Sequence, residues 1–404
     1  MQREKQRRGV LDVLKVRDLG IVYALILLVV VLSVVSAATG RPNYLGGDNV
    51  ANILDQASLV GILVVFMTIV LVSGNFDLSV GSIGALSAAI SLSVIDERGV
   101  VVAIVLAIAA AAVAGLINGL IVQVVGINAF IVTLGTMTAL RGVVLILTDG
   151  RTITAESSSS RTALQSIESG FWTVNFPVIL GLLALIGAGA ALAAGHRGRR
   201  LALLGGGGAV LAIAGFVGDM GFRYAKPVWY MAAITLVAWA VLRFTVVGRR
   251  LYATGANAEA ARLSGINVAR YKIVPFVLTG AAAGVVGVLY GAKLGATNPT
   301  ALNGLELTVI AAAILGGTSL FGGSGSVITS VIGALFLFTI ANGFNVLNLG
   351  ANYQDLIEGV VLIVAAGVYT VANRRRAQAP PPDEEAPPRP AASSEPQRVG
   401  VLRG

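Results

Sequence analysis

The sequence predicts an all-α polytopic membrane protein of about 12 transmembrane helices, and three observations predict it. The 404 residues are 56% hydrophobic and only 12% charged, against about 25% charged in soluble domains. Apolar runs long enough to cross a hydrocarbon core of about 30 Å, some 20 helical residues each, recur from Gly20 almost to Asn373. The basic residues gather in short clusters beside those runs, which is a topology signal. The 50 glycines suit helices that pack closely where the hydrophobic effect cannot drive association.

Taken in order, residues 1–19 form a basic terminus and the run 20–39 a first span. Ser36-Ala37-Ala38 has the small residues of a signal-peptide cleavage site, but the preceding run is too long for one, so an uncleaved anchor is expected. Further spans fall near 52–73, 82–95, 100–125, 129–148, 176–195, 201–218, 227–245, 273–292, 305–320, 327–347 and 354–373. The transmembrane domain thus covers 20–373. In this count the clusters Arg3 to Arg17, Arg197 to Arg200, Arg249 to Lys272 and Arg374 to Arg376 share one side, which makes both termini cytoplasmic in a cell (inner) membrane. The serine-rich stretch Arg151 to Trp172 falls outside. The proline-rich tail of mixed charge, 374–404, cannot bury a core and is expected to be disordered.

Two stretches repeat. Asp77-Leu78-Ser79-Val80 matches Glu306-Leu307-Thr308-Val309, and Asn118-Gly119, Gly126 and Asn128 match Asn342-Gly343, Gly350 and Asn352. The matched spans run in opposite directions, so 52–148 and 273–373 are expected to form an inverted repeat, an arrangement that places substrate at interrupted helices near the midplane. Gly74, Gly81 and Gly304 beside the two acids would permit such interruptions.

A carboxylate at membrane depth is costly, so Asp77 and Glu306 are candidates to line a pathway. Ser79, Asn118, Asn128, Thr133, Thr136 and Asn342 add the amides and hydroxyls that hold an uncharged polyol. The structural alternative makes the acids helix caps and the other groups interhelical bonds. Arg141, inside an apolar run, either pairs with one of the acids or reaches the interface.

The longest cytoplasmic link, 248–272, carries Asn257 as the cap of a short helix from Ala258 to Leu263, with Gly265 just after its end. A capped helix projecting from the bilayer suits docking of a partner. Glu259, Ala260, Ala261, Ser264 and Ile266 belong to the same peg, with Gly255 before it.

Several classes are excluded. No glycine loop is followed by a lysine that could cradle a nucleotide phosphate, so the chain does not bind ATP in that manner. With no cysteine and the single histidine His196, neither a His/Cys metal site nor acid–base catalysis is expected. No cofactor is expected, and clustered charge beside spans does not indicate nucleic acid.

Four motifs, Gly74-Asn-Phe-Asp-Leu-Ser-Val-Gly-Ser82, Phe130-Ile-Val-Thr-Leu-Gly135 with Arg141-Gly142, Gly255-Ala-Asn-Ala-Glu-Ala-Ala-Arg-Leu-Ser-Gly-Ile266 and Ile314-Leu-Gly-Gly-Thr-Ser-Leu-Phe-Gly-Gly-Ser-Gly-Ser326, resemble the ribose/xylose-type permeases of ABC importers over roughly 45–373. The stretch 176–222 then looks like a helical pair added to a ten-span core, as in the xylose type, and Tyr224-Ala-Lys-Pro227 resembles that type too. The resemblance implies a permease homodimer moving a monosaccharide, D-xylose or a related pentose, by alternating access. It also implies cytosolic ABC ATPase subunits at Asn257 to Ile266 and an extracytoplasmic sugar-binding protein. ATP hydrolysis would then reside in the partner and not in this chain. A proton-coupled or facilitative sugar transporter is the alternative reading.

Overall fold

The computed structural model describes residues 20–174 and 222–348, with 185, 209–210 and 359–360. The expected terminus 1–19, the spans 176–195, 201–218 and 354–373, and the tail 374–404 lie outside the described residues.

Eight described helices are long and apolar enough to cross a membrane: α1 (Gly20–Ala38), α2 (Gly47–Val72), α3 (Val80–Arg98), α4 (Val100–Val125), α5 (Ala129–Leu147), α7 (Lys226–Phe244), α10 (Val268–Leu294) and α12 (Val327–Leu347). Between α5 and α7 lie a two-residue strand β1 (Ile153–Thr154), α6 (Ser158–Glu168), and the antiparallel pair of β2 (Phe171–Val174) with β3 (Phe222–Ala225). Two short helices, α8 (Val246–Ala256) and α9 (Ala258–Leu263), precede α10. A strand β4 (Ala296–Thr297) and α11 (Leu305–Leu315) separate α10 from α12.

These helices form where the sequence removes every alternative. Uninterrupted Leu, Ile, Val and Ala leave the backbone no partner in lipid but itself. Glycine breaks the runs: Gly99, at φ 77°, turns α3 back into α4, and Gly126, at φ 83°, ends α4 after a wider last turn at Ile121–Val125.

One expected span is corrected. The run 305–320 is not one continuous helix: α11 has 11 residues, about 16 Å at 1.5 Å per residue, roughly half a hydrocarbon core and too short to cross by itself. Gly316 and Gly317 stop it because α12 presses on this point, so a Cβ at Gly316 would lie 2.4 Å from Ser330 Cα. The chain then runs irregularly to Ser326 before α12 begins.

Helices α2, α3, α10 and α12 are the most buried, while α1, α4, α5 and α7 turn most of their apolar surface outward. The main packing unit sets α10 against α3 and α4 through small residues. A Cβ on Gly287 would come within 2.0 Å of Gly84 O, and one on Gly115 within 2.3 Å of Phe276 O. Backbone touches backbone there, which dispersion alone can stabilise in lipid.

The bundle has two chemically different ends. At one, β1 pairs antiparallel with β4, Ile153 opposite Thr297, and α6 lies over α10. Lys293 bridges Asp55 at 2.7 Å and Glu168 at 3.6 Å. The other end, reached through α7, carries α8 and α9.

Candidate functional site

The polar groups singled out in the sequence sort into three places. In the first, four side chains form one hydrogen-bonded chain across three helices. Asp77 stands before α3, and its Oδ1 accepts from the Ser79 N–H at 2.8 Å and from the Ser79 hydroxyl. Asn118 of α4 donates to Ser79 Oγ at 2.9 Å, and Thr136 of α5 donates to Asn118 Oδ1 at 2.6 Å. Asp77, Ser79 and Asn118 are fully buried. Asp77 therefore holds the turn that precedes α3, whose N-terminus takes no side-chain cap, and its Oδ2 is buried with no hydrogen-bond partner among the described residues. An unpaired buried carboxylate oxygen is costly. Ser82 Oγ, one turn further on, also lacks a partner among the described residues.

The second place is the start of α11. Glu306 is 6% exposed and its Oε2 also lacks a partner among the described residues. It faces α3, where a Cβ on Gly81 would lie 2.5 Å from Glu306 Oε2 and 2.6 Å from Leu302 O. Two helix N-termini, each with partial positive charge, thus meet inside the bundle, and a carboxylate belongs to each. Arg141 pairs with neither acid. Its Nη1 donates to Pro299 O at 2.9 Å and Ala301 O at 2.7 Å, which braces the loop leading into α11.

Other predicted residues sit apart. Asn128 is exposed and caps α5, accepting from the Phe130 N–H at 2.8 Å. Thr133 is buried but bonds back to Ala129 O at 2.8 Å in its own helix. Asn342 donates to Asn49 Oδ1 at 3.0 Å and so ties α12 to the first turn of α2, away from Asp77. Its counterpart in the sequence repeat, Asn118, bonds Ser79 instead. Gly350 and Asn352 of the repeat lie outside the described residues.

The third place is the link through α8 and α9. Asn257 Oδ1 accepts from Glu259 N at 3.1 Å and Ala260 N at 3.0 Å, the expected cap. Gly265, at φ 77°, closes the helix, with Gly265 N on Arg262 O at 2.9 Å and Ile266 N on Ala261 O at 3.0 Å. Glu259, Ala260, Ser264 and Gly265 are exposed, Ile266 is partly so, and Ala261 is buried against the support. Leu263 is 82% exposed, an apolar tip on the peg that no polar motif in the sequence marks.

Gly255 has a different role from the peg. A Cβ there would lie 1.7 Å from Val72 O and 2.8 Å from Gly323 N, and Gly323 N itself donates to Val72 O at 2.9 Å. A Cβ on Gly322 would lie 2.7 Å from Gly255 O and 2.8 Å from Gly74 Cα. The end of α8 is therefore wedged between the loop that leads to Asp77 and the loop that leaves α11. Nothing in the spacing of Gly74, Gly255 and Gly322 announces that they converge. Only the fold brings them together.

Helices that cross a membrane, two helix starts that meet within the bundle, and a buried carboxylate at each define a polytopic membrane protein with interrupted helices of the transporter kind. Residues 49–366 match the family described as branched-chain amino acid transport system / permease component, and the chain belongs to that permease family. It is 36% identical over 343 residues to the ribose import permease protein of Escherichia coli strain K12, covering 85% of this chain and 91% of the relative. It is 33% identical over 352 residues to the ribose import permease protein of Bacillus subtilis strain 168, covering 86% and 91%. The xylose transport system permease protein of Haemophilus influenzae is 32% identical over 378 residues, covering 88% of this chain and 98% of the relative. No solved structure matches the chain. The family description names amino acids and these relatives are named for sugars, so kinship alone leaves the substrate open.

Proposed function

We propose that the chain is the membrane permease subunit of an ATP-driven importer that translocates a monosaccharide, a pentose, by alternating access. The carrying observation is the wedge of Gly255 between the loops at Gly74 and Gly322. Any displacement of α8 and α9 is felt directly at the two interrupted helices, through contacts too close to slide independently. Cytosolic ATPase subunits would engage the exposed tip of Glu259, Ala260, Leu263 and Ser264. An extracytoplasmic binding protein would deliver sugar at the α6 end, and a second copy of the chain would complete the pore. Both termini, in this reading, are cytoplasmic. No chemistry occurs on the sugar.

For the sugar itself, the identities lean toward ribose and the alignment lengths toward xylose. D-xylose is our choice, because the stretch 176–222 resembles the helical pair of the xylose type, as does Tyr224-Ala-Lys-Pro227. The test is ATPase activity of the full chain reconstituted with its ATPase and binding protein. Stimulation by xylose above ribose is expected. Stimulation by ribose alone would move the substrate and leave the class, whereas stimulation by branched-chain amino acids and no sugar would overturn both.

A second reading has its own observation. The unpaired oxygens of Asp77 and Glu306 are the groups a proton-coupled or facilitative carrier would use. Uptake by the chain alone, driven by a proton gradient without ATPase, would favour it.

A further inference from the structure

Beside the wedge, on the α8–α9 end, is a cavity of about 670 Å³ that the transport reading does not use. Its wall is built from the last turns of α7 (Trp239, Arg243), from Arg249 and Tyr252 of α8, and from the loop Gly323 to Ser326 that opens α12. Tyr252 donates to Gly325 O at 2.8 Å and holds that loop in place.

Among the described residues the charge of this cavity is uncompensated. Arg243 and Arg249 are exposed, and among the described residues neither forms a salt bridge. The nearby cationic residues, Arg250, Arg262, Arg270 and Lys272, are opposed in the stretch 243–272 by one acid, Glu259, which faces Arg262 at 4.0 Å. On the loop side, Ser326 gives α12 no side-chain cap, and the N–H groups of Ser324, Gly325 and Ser326 have no acceptor among the described residues. Two guanidinium groups, and loop residues whose N–H groups have no acceptor among the described residues, line one space and fit a phosphate oxyanion.

The surroundings choose the source of that phosphate. Trp239 stands on the wall, where an indole suits the boundary between hydrocarbon and water. Phe244, Val246 and Val247, in the same turn of chain as the two arginines, are 66%, 52% or 48% exposed in the order Phe244, Val247, Val246. Such apolar surface beside a basic pocket is what an acyl chain and its headgroup would cover together, whereas a free anion would leave it bare.

We propose that the cavity between α7, α8 and the start of α12 binds the headgroup of one anionic phospholipid of the cytoplasmic leaflet, through Arg243 and Arg249. Because the lipid seats against Tyr252 and Gly323, it fixes the resting position of α8 and so bears on the wedge at Gly255. The orientation rests on the topology proposed above. The binding itself does not.

The full chain, purified from anionic bilayers and washed with neutral detergent, should retain one phosphatidylglycerol by native mass spectrometry. The double variant R243Q/R249Q should bind it roughly twenty-five-fold more weakly, taking each arginine at about fivefold. The variant R262Q/R270Q, which removes equal charge outside the cavity, should retain it. Equal loss in both double variants would replace the site by diffuse attraction and overturn the proposal. So would displacement by millimolar inorganic phosphate, which would assign the cavity to a free anion. Unchanged lipid with lost ATPase co-purification in R243Q/R249Q would give the cavity to the partner instead. Should the double variant fail to fold, R243Q and R249Q are read singly, and retention equal to wild type in both rejects the site.

Discussion

Asp77 spends one carboxylate oxygen on the turn into α3 and leaves the other buried with no hydrogen-bond partner among the described residues. Holding the turn needs only the first, so the second is where a pathway role would show. Asp77→Asn keeps the acceptor for Ser79 and should cost no more than about 1 kcal/mol of stability. Glu306→Gln keeps size beside Gly81 in the same way. Sugar uptake by the assembled transporter should nevertheless be lost in both, with ATPase co-purification intact. Uptake near wild type in the two variants would leave these acids as structural groups. Glu168 permits a separate test at the far end of the bundle. Burial pushes its carboxyl above the usual range, against the opposing pull of Lys293. A raised acid stabilises the fold below its unfolded pKa, and that contribution is lost as pH rises through the folded value. Thermal stability in detergent should therefore fall between about pH 4 and the raised value, and Glu168→Gln should flatten that slope. An unchanged slope in the variant would assign the effect elsewhere.

Among the elements, α8 and α9 divide support from contact. Gly255, deep in the wedge, has no room for a methyl group, so Gly255→Ala should destabilise by roughly 1–3 kcal/mol through overpacking. Gly265 has open space around it, and a side chain there meets only backbone strain. Gly265→Val should spare the bundle and cost the turn, lowering ATPase co-purification while the thermal midpoint stays close to wild type. Wild-type co-purification would move the docking surface away from α9. The contrast between the two glycines separates a residue that transmits motion from one that shapes a contact. The shortened α11 belongs at this scale too. A stretch as apolar as a span stops after Leu315 because α12 crosses it at Gly316, a cause that hydropathy cannot register.

For the whole molecule, the chain contains no cysteine, so single cysteines report sidedness cleanly. Ser158, at the start of α6, and Ser264, at the end of α9, are both exposed. Cysteines at these positions should react with impermeant reagents from opposite faces of the membrane, the first from outside. Labelling from one face would break the topology and with it the inverted repeat.

By itself the sequence determined what lipid and backbone chemistry demand. Apolar length made the spans, Asn257 with Gly265 made a capped peg in a polar link, and an acid next to glycines marked each helix start. The motifs also carried the kinship, because they lie in contiguous stretches. Tertiary structure alone decided which of these groups meet. Thr136 and Asn118 join Ser79 and Asp77, whereas Asn342 turns to Asn49 and Arg141 to backbone carbonyls. Hydrogen-bond partners depend on the rotation and depth of neighbouring helices, which small-residue packing sets and no local pattern records. The same holds for Gly74, Gly255 and Gly322, distant in the chain and joined only where three backbones approach more closely than any side chain would allow.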